Sequence, residues 1–446
     1  MTEPTLHVSG GVGGTEARYD DLLRLAAASG ELGERLAEVT AECHTALADP
    51  NLLASAKLNP AGAARFAKQL LEALDGRSGL TALAGNYYQR SLALQAVIDT
   101  YRAADAASTL VVDKVRFVAG EAFVDALPVG VSALSMVGVP AYLMYGGDWQ
   151  LLLTDHPGII DNVVGAAPGM LTEFTGMPVT TVPGAAHLIA TLYPDGHPHV
   201  EDLGVDTNAQ VNTPPAGFGD VMAGLDYRNR PHQDVIDVKV ITHADGTKAY
   251  IVDIPGTKVW NEPGSLNPAS NDFGTNIHVT GGDTTAREMA IAEALRRAGA
   301  TSTDPVMLVG HSQGGMVAAQ AAADTANGTF NFNVTHVMTA GSPIANADIP
   351  PTVQVLALEN TADVVPHLDA HDNPDTANFT TVQFDNQHGT IGENHSIDRS
   401  YLPAAQALDN STDPSVLNFR NSAGAFMGGA PDSHVQTNAY ALSRVP

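Results

Sequence analysis

The stretch Val306–Asp324, VMLVGHSQGGMVAAQAAAD, decides the fold class. It leads from a short apolar strand over 306–309 into a helix of small residues over 316–323. Between them GHSQG, at 310–314, matches the G-x-S-x-G pattern, in which a serine occupies a strained turn from strand to helix and the flanking glycines relieve crowding. Because the strand, turn and helix that the pattern requires are all present, we interpret Ser312 as a candidate nucleophile rather than as part of an ordinary glycine-rich turn.

The composition of the chain bounds its size class and its partners. With 446 residues, 44% of them hydrophobic, the chain exceeds the usual single core, so two or three domains are expected. The net charge of −27 argues against nucleic acid and anionic lipid headgroups as partners, because both would be repelled. The single cysteine, Cys43, excludes an intramolecular disulfide and a cysteine-based metal site.

Two segments bear on export and on membranes. The N-terminus, MTEPTLHVSGGVGGTEARYDD, carries acidic residues and no apolar core, so we do not expect this stretch to act as a Sec-type signal peptide. Residues 126–147, ALPVGVSALSMVGVPAYLMYGG, are uncharged and long enough for a membrane span, but prolines and glycines weaken them as one straight helix. We expect a buried helical hairpin there, with membrane insertion or a peripheral contact with membrane or cell envelope as the alternative. The sequence leaves export by a non-Sec route and a cytoplasmic location both open.

Three regions differ in pattern along the chain. Residues 1–108 are rich in Ala and Leu at helical spacing, which predicts an all-α bundle or hairpin. Residues 109–230 are apolar and rich in Gly and Pro, and we interpret them as a helical connector or lid. Within them DGHPHVED, at 195–202, is interpreted as an exposed turn rather than a metal site. From 231 to 446 strands alternate with helices, which predicts an α/β domain with a mainly parallel sheet.

Local signals place elements within the third region. The Asp-Gly pair at 245–246 predicts a β-hairpin, and DTTAREMAIAEALRRAGA predicts a helix capped by Asp283 or Thr284. After the elbow, strands are predicted over the segments THVMTA, VQVLALEN and TTVQF.

A serine hydroxyl is a poor nucleophile until a base takes its proton and an acid holds that base. In proteins with this elbow, the acid follows a later strand and the histidine comes after the acid. Asp363 lies just beyond the apolar run 353–358 and is the candidate acid, with Glu359 and Asp369 as its rivals.

The histidine is expected after the next strand, 380–384. His395 is preferred, because it begins an apparent helix and leaves a loop long enough to reach the elbow. His388 is the alternative. His311, inside the elbow, is expected to pack beside the strand.

An oxyanion hole requires two N–H groups directed at the developing charge. One is expected from Gln313, the residue after the nucleophile. The other should come from a loop after an earlier strand, and in AYIVDIPGTKVW the turn Gly256-Thr257 meets that requirement. Thr257 is therefore the second candidate donor, although PGT alone also fits a simple turn.

These motifs together resemble one family. The elbow, IPGT at 254–257, TAGSPIAN at 339–346 and ENTADVVP at 359–366 are similar to the motifs of lipase class 3, a branch of the α/β-hydrolase superfamily. The resemblance covers about 234–405, which also looks like the hydrolase domains appended to actinobacterial secreted proteins. It implies acyl hydrolysis and gives the oxyanion, nucleophile and acid roles to Thr257, Ser312 and Asp363. The histidine is less tightly defined by the family.

The helical region resembles a second family. Residues 1–108 are similar to the WxG-type domains of actinobacterial type VII secretion. Tyr101 and Asp105, in YRAAD, match the Y-x-x-x-D/E signal of such substrates. The W-x-G turn itself is missing, and DGRSGL at 75–80 occupies a plausible turn. The resemblance implies export by that route.

The sequence thus predicts a serine ester hydrolase, of lipase or esterase type, that cleaves a hydrophobic acyl ester through an acyl-enzyme. This chemistry needs no metal and no cofactor. The alternative hypothesis is a catalytically silent hydrolase fold that serves as a cell-envelope or secretion-associated interaction protein.

Overall fold

The protein is described from a computed structural model. It describes residues 4–12, 19–98, 114, 116–117, 153–155, 158–209, 213–230, 234–428 and 432–446. The predicted hairpin over 126–147 and the Tyr101–Asp105 signal lie outside the described residues. Among the described helices, none is long and apolar enough to cross a membrane.

The chain divides into two compact units. The first, the sheet unit, comprises Met1–Gly14, Pro183–His388 and Gly392–Pro446. The second, the helical unit, comprises Thr15–Val182 and Gly389–Ile391.

A nine-stranded sheet forms the sheet unit's centre. Its strands are β1 Leu6–Gly10, β2 His197–Val205, β3 Val235–Thr242, β4 Lys248–Ile254, β5 Pro305–His311, β6 Asn333–Ala340, β7 Gln354–Asn360, β8 Phe379–Phe384 and β9 His434–Val445. Their order is β1-β8-β7-β6-β5-β4-β3-β9-β2. Strands β4 to β8 run parallel, with antiparallel neighbours on both sides. This parallel centre confirms the predicted α/β fold class.

The helices are numbered along the chain. They are α1 Tyr19–Thr45, α2 Pro50–Leu58, α3 Pro60–Asp75, α4 Leu80–Ile98, α5 Gly158–Thr175, α6 Val182–Ala190, α7 Phe218–Asn229, α8 Phe273–Thr280, α9 Ala286–Arg297, α10 Gln313–Asp324, α11 Ile391–Asn394, α12 Leu402–Leu408 and α13 Pro414–Ser422. A π-helical turn, Ile397–Tyr401, precedes α12. The cap of α9 is Thr285, whose side chain accepts a hydrogen bond from Glu288 N at 3.2 Å. The predicted caps, Asp283 and Thr284, are wrong by one or two residues.

Two buried hydrophobic clusters cover the two faces of the sheet. Along β5, Val306 and Leu308 belong to one cluster, while Met307 and Val309 belong to the other, because successive side chains of a strand point to opposite faces. Helices α9 and α10 pack on the first face, and α7, α12 and α13 pack on the second. Both clusters lie entirely within the sheet unit.

Two edge strands lie where the sequence predicted no sheet. Strand β1 falls in the region 1–108, interpreted as all-α, and pairs with β8. Strand β2 contains the His-Pro-His stretch, interpreted as an exposed turn within a helical connector, and pairs with β9. Eight of the nine residues of β2 are exposed, so no apolar alternation marks it as a strand. The sheet unit therefore takes in residues on both sides of the predicted boundaries at 108 and 230.

The helical unit contains the helices predicted for the N-terminal region. Helix α1 packs closely against α4, since a Cβ added at Gly33 would lie 3.0 Å from the Tyr88 ring. Helix α3 buries Ala67, Leu71 and Leu74, one stripe at helical spacing. The DGRSGL stretch joins α3 to α4. The prediction of a helical N-terminal region is confirmed for these described residues.

Candidate active site

The nucleophile elbow connects β5 to α10. Ser312 has φ 56° and ψ −125°, a conformation that is rare for residues other than glycine. The turn is close-packed, because a Cβ on Gly310 would collide with the backbone of Gly314. The amide of Ser312 donates a hydrogen bond to Ala340 O at 3.0 Å, which ties the strained residue to the end of β6. Strain held by its surroundings in this way is typical of functional residues.

His395 and Asp363 form a hydrogen-bonded pair. His395 Nδ1 lies 2.6 Å from Asp363 Oδ2, and the carboxylate side chain is fully buried. Asp363 follows β7, and His395 stands between α11 and the π-helical turn. The tautomer that donates from Nδ1 to this carboxylate leaves Nε2 of His395 without a proton.

A buried tyrosine also donates a hydrogen bond to Asp363, the candidate acid. Tyr401 Oη donates to Asp363 Oδ2 at 2.6 Å, and Val365 N donates to Asp363 Oδ1 at 3.0 Å. Burial, and then the Asp363 charge, raise the pKa of Tyr401 well above its ordinary value, so the hydroxyl stays protonated and remains a donor. Both carboxylate oxygens are thus held in place.

His311 links the elbow to His395. Its Nε2 lies 2.7 Å from the carbonyl oxygen of His395, and the two imidazole rings have centroids 4.4 Å apart. Burial, and then the neighbouring His395, lower the pKa of His311 well below its ordinary value, so the ring is neutral and donates from Nε2. The expectation that His311 merely packs beside the strand missed this contact.

The alternative candidates for the acid and the histidine contact other groups, and none of them contacts Asp363 or His395 in the hydrogen bonds given below. His388 Nε2 lies 3.3 Å from Arg399 O, and Glu359 accepts hydrogen bonds from the amides of Asn373 and Gln383. Asp369 Oδ2 accepts from the amide of Ala345 at 2.8 Å. The geometry therefore brings together Asp363 and His395, the preferred members of each set.

The candidate oxyanion donors lie on two adjoining segments. The turn after β4 packs against the elbow, since a Cβ on Gly256 would lie 2.9 Å from Ser312 Cβ. Thr257 follows, and its hydroxyl accepts from Asn276 Nδ2 at 3.0 Å. Gln313 is the first residue of α10, so its N–H has no acceptor within the helix.

Three residues that contact the candidate site residues were not predicted from the sequence. Tyr401 contacts Asp363, Asn276 contacts Thr257, and Arg287 contacts the Gln313 side chain. Each lies on a helix or helical turn distant in sequence from its partner, and no local pattern marks it.

Within the described part of the chain, no three or more His, Cys, Asp or Glu side chains converge as a metal site would require. His197 and His199 lie on the exposed edge strand β2.

Comparison with known proteins agrees with this architecture. A family model described as PGAP1-like alpha/beta domain matches residues 269–403, a span that contains the elbow, Asp363 and His395. The match covers less than half of the chain and supports the α/β-hydrolase superfamily. It is a different family from lipase class 3, which the motifs resemble, and it does not extend to helices α1 to α4. No curated protein and no solved structure gives a significant match. The chain is thus a hydrolase-fold protein with an additional helical region.

Proposed function

We propose that this protein is a serine ester hydrolase that cleaves a hydrophobic acyl ester through an acyl-enzyme intermediate. The observation that carries the proposal is a His395–Asp363 pair that a hydrogen bond from His311 ties to the elbow in which Ser312 is strained, at φ 56°. Nucleophilic acyl transfer by serine requires a carboxylate that orients a histidine and a histidine that takes the proton of the serine, and the elbow and the pair supply these three residue types.

Each residue then has a defined task. Ser312 Oγ attacks the acyl carbonyl while His395 Nε2 takes its proton, and Asp363 stabilises the imidazolium that forms. The N–H groups of Thr257 and Gln313 donate to the oxyanion of the tetrahedral intermediate. His395 returns the proton to the leaving alcohol, and a water molecule repeats the sequence to release the acid.

Apolar surfaces support a hydrophobic acyl group. A pocket beside α10 is lined by apolar side chains, among them Val279, Met316 and Ile344, and also by the polar side chains of Thr280, Gln320, Asn346 and Asp369. Trp260, three residues after Thr257, is 77% exposed and stacks on Phe273 at 5.2 Å.

A fluorophosphonate probe tests the proposal. Wild type should be labelled covalently, and Ser312→Ala should lose both the label and ester hydrolysis, because removing the nucleophile leaves only residual catalysis. A panel of p-nitrophenyl esters of increasing chain length then defines the acyl preference. A folded wild-type protein that neither reacts with the probe nor cleaves any ester would favour the silent scaffold instead.

A further inference from the structure

Arg287, the second residue of α9, is a fully buried cation with 0% exposure. Burial of a guanidinium is costly, and a cation in the first turn faces the positive end of the helix dipole. Burial accordingly lowers the pKa of Arg287, although the charges of Asp234 and Asp272 act against it. A side chain retained under these conditions must make contacts that compensate for its burial.

Its contacts join three segments around the proposed site. Nη1 donates to Gln313 Oε1 at 3.1 Å, and Nη2 donates to Pro255 O at 3.0 Å. Asp234 Oδ1, just before β3, lies 3.1 Å from Nη1 and balances the charge. One rigid guanidinium therefore binds the start of α10 and the turn after β4 together.

On the elbow side, the whole amide of Gln313 is held. Its Oε1 accepts from Arg287, and its Nε2 donates to Asp272 O at 2.6 Å. Gln313 is the first residue of α10, so fixing its side chain also restrains its backbone N–H.

On the turn side, the peptide between Pro255 and Gly256 is held at both ends. Its carbonyl accepts from Arg287, and its N–H donates to Asn229 Oδ1 at 3.1 Å. The next peptide carries the N–H of Thr257, so the direction of that N–H depends on the restrained peptide before it.

We propose that Arg287 is a positioning residue that holds the two oxyanion donors, the N–H groups of Thr257 and Gln313, in register with each other. The inference rests on the proposed function. Both donors must reach the same oxygen atom, and a displacement of about 1 Å at a reacting centre can cost roughly 100-fold in rate.

The test compares Arg287→Met with wild type in the full-length protein. We expect kcat to fall by about 100-fold while KM for a p-nitrophenyl ester changes by less than about 3-fold, because a misplaced donor is felt mainly in the transition state. The inhibition constant of an alkyl trifluoromethyl ketone, whose adduct with Ser312 carries an oxyanion, should rise by about the same factor as kcat/KM falls. Arg287→Lys should recover little, because an ammonium cannot bind both acceptors as a guanidinium does.

Arg228→Met is the matched control. Arg228 is also buried, at 6% exposure, and pairs with Asp206 at 2.6 Å and Asp237 at 2.7 Å. It should lose stability while keeping kcat and inhibitor affinity close to wild type when both are assayed below its unfolding temperature. Equal losses of kcat and inhibitor affinity in Arg228→Met and Arg287→Met would reduce the role of Arg287 to general stability and overturn the proposal.

A second variant covers the case in which Arg287→Met does not fold. Gln313→Met removes the acceptor of Arg287 but keeps the backbone N–H, and it should lower kcat and inhibitor affinity together by about 10-fold. A folded Arg287→Met or Gln313→Met protein with wild-type kcat overturns the inference and leaves the proposed function intact. If wild type itself neither labels nor hydrolyses esters, the proposed function and this inference both fall.

Discussion

At the scale of single residues, the Asp363 carboxylate is held by contacts on both of its oxygens. It is fully buried and contacts His395, Tyr401 and the amide of Val365. Asp363→Asn should keep the fold and lower kcat by about 10⁴-fold, because an amide at this position favours the wrong imidazole tautomer. Steady-state hydrolysis with circular dichroism checks both effects, and Glu359→Gln is the control. Full activity in Asp363→Asn with loss in Glu359→Gln would move the acid role to Glu359.

The two candidate histidines differ in their surroundings, and their variants should differ as well. His395→Ala should lose as much activity as Ser312→Ala, and the double variant should lose hardly more, because members of a triad act as one unit. His388→Ala should remain near wild-type activity, since His388 contacts the Arg399 carbonyl rather than Asp363. The measurement is kcat/KM for the single and double variants. A severe loss in His388→Ala with a mild one in His395→Ala would exchange their roles.

At the scale of elements, the packing of α9 against α10 should make the free energy of unfolding depend on pH. Burial, and then Asp324 on α10, raise the pKa of Glu288 on α9 from 4.5 to about 9. Between these values the folded protein retains a proton that the unfolded chain releases, so stability falls as the pH rises through that window. Glu288→Gln removes this dependence. The free energy of unfolding of Glu288→Gln should therefore exceed that of wild type by an amount that grows with pH, by up to about 1.4 kcal/mol for each pH unit.

Urea unfolding of wild type and Glu288→Gln at pH 5, 6, 7 and 8 measures that difference. Glu293→Gln, on the same helix, is the control, because Glu293 is 35% exposed and pairs with Arg296 and Arg297. A constant difference between wild type and Glu288→Gln across this range would show that Glu288 is ionised in the folded protein.

Elements with a strong local pattern were predictable from the sequence, and elements that depend on distant partners were not. Strand β5, the elbow and the β3–β4 hairpin each carry their signal within a few residues. Edge strand β1 forms only through pairing with β8, more than 360 residues later, so its five residues gave no signal. The site shows the same division, because Ser312 stands in a motif whereas Arg287 and Tyr401 acquire their contacts through packing.

At the scale of the whole molecule, the two compact units raise the question of which parts fold alone. The sheet unit includes β1 from the N-terminus and resumes at Pro183, and both core clusters lie within it. A variant in which residues 15–182 are replaced by a flexible linker of about 20 Gly and Ser residues should therefore fold, because loop-closure entropy rises only slowly with loop length. It should also retain Ser312-dependent labelling by the fluorophosphonate probe.

A chain that starts at Pro183 is the informative comparison, because it lacks β1 as well as the helical unit. Loss of β1 leaves β8 as an open sheet edge, with the unpaired N–H and C=O groups that promote aggregation. We expect this shorter chain to unfold at a lower temperature and to aggregate more than the linker variant. Thermal unfolding, size-exclusion chromatography and probe labelling of both variants check the prediction. If the two variants behave alike, β1 contributes little to the sheet unit. If the linker variant fails to fold, the sheet unit requires the helical unit.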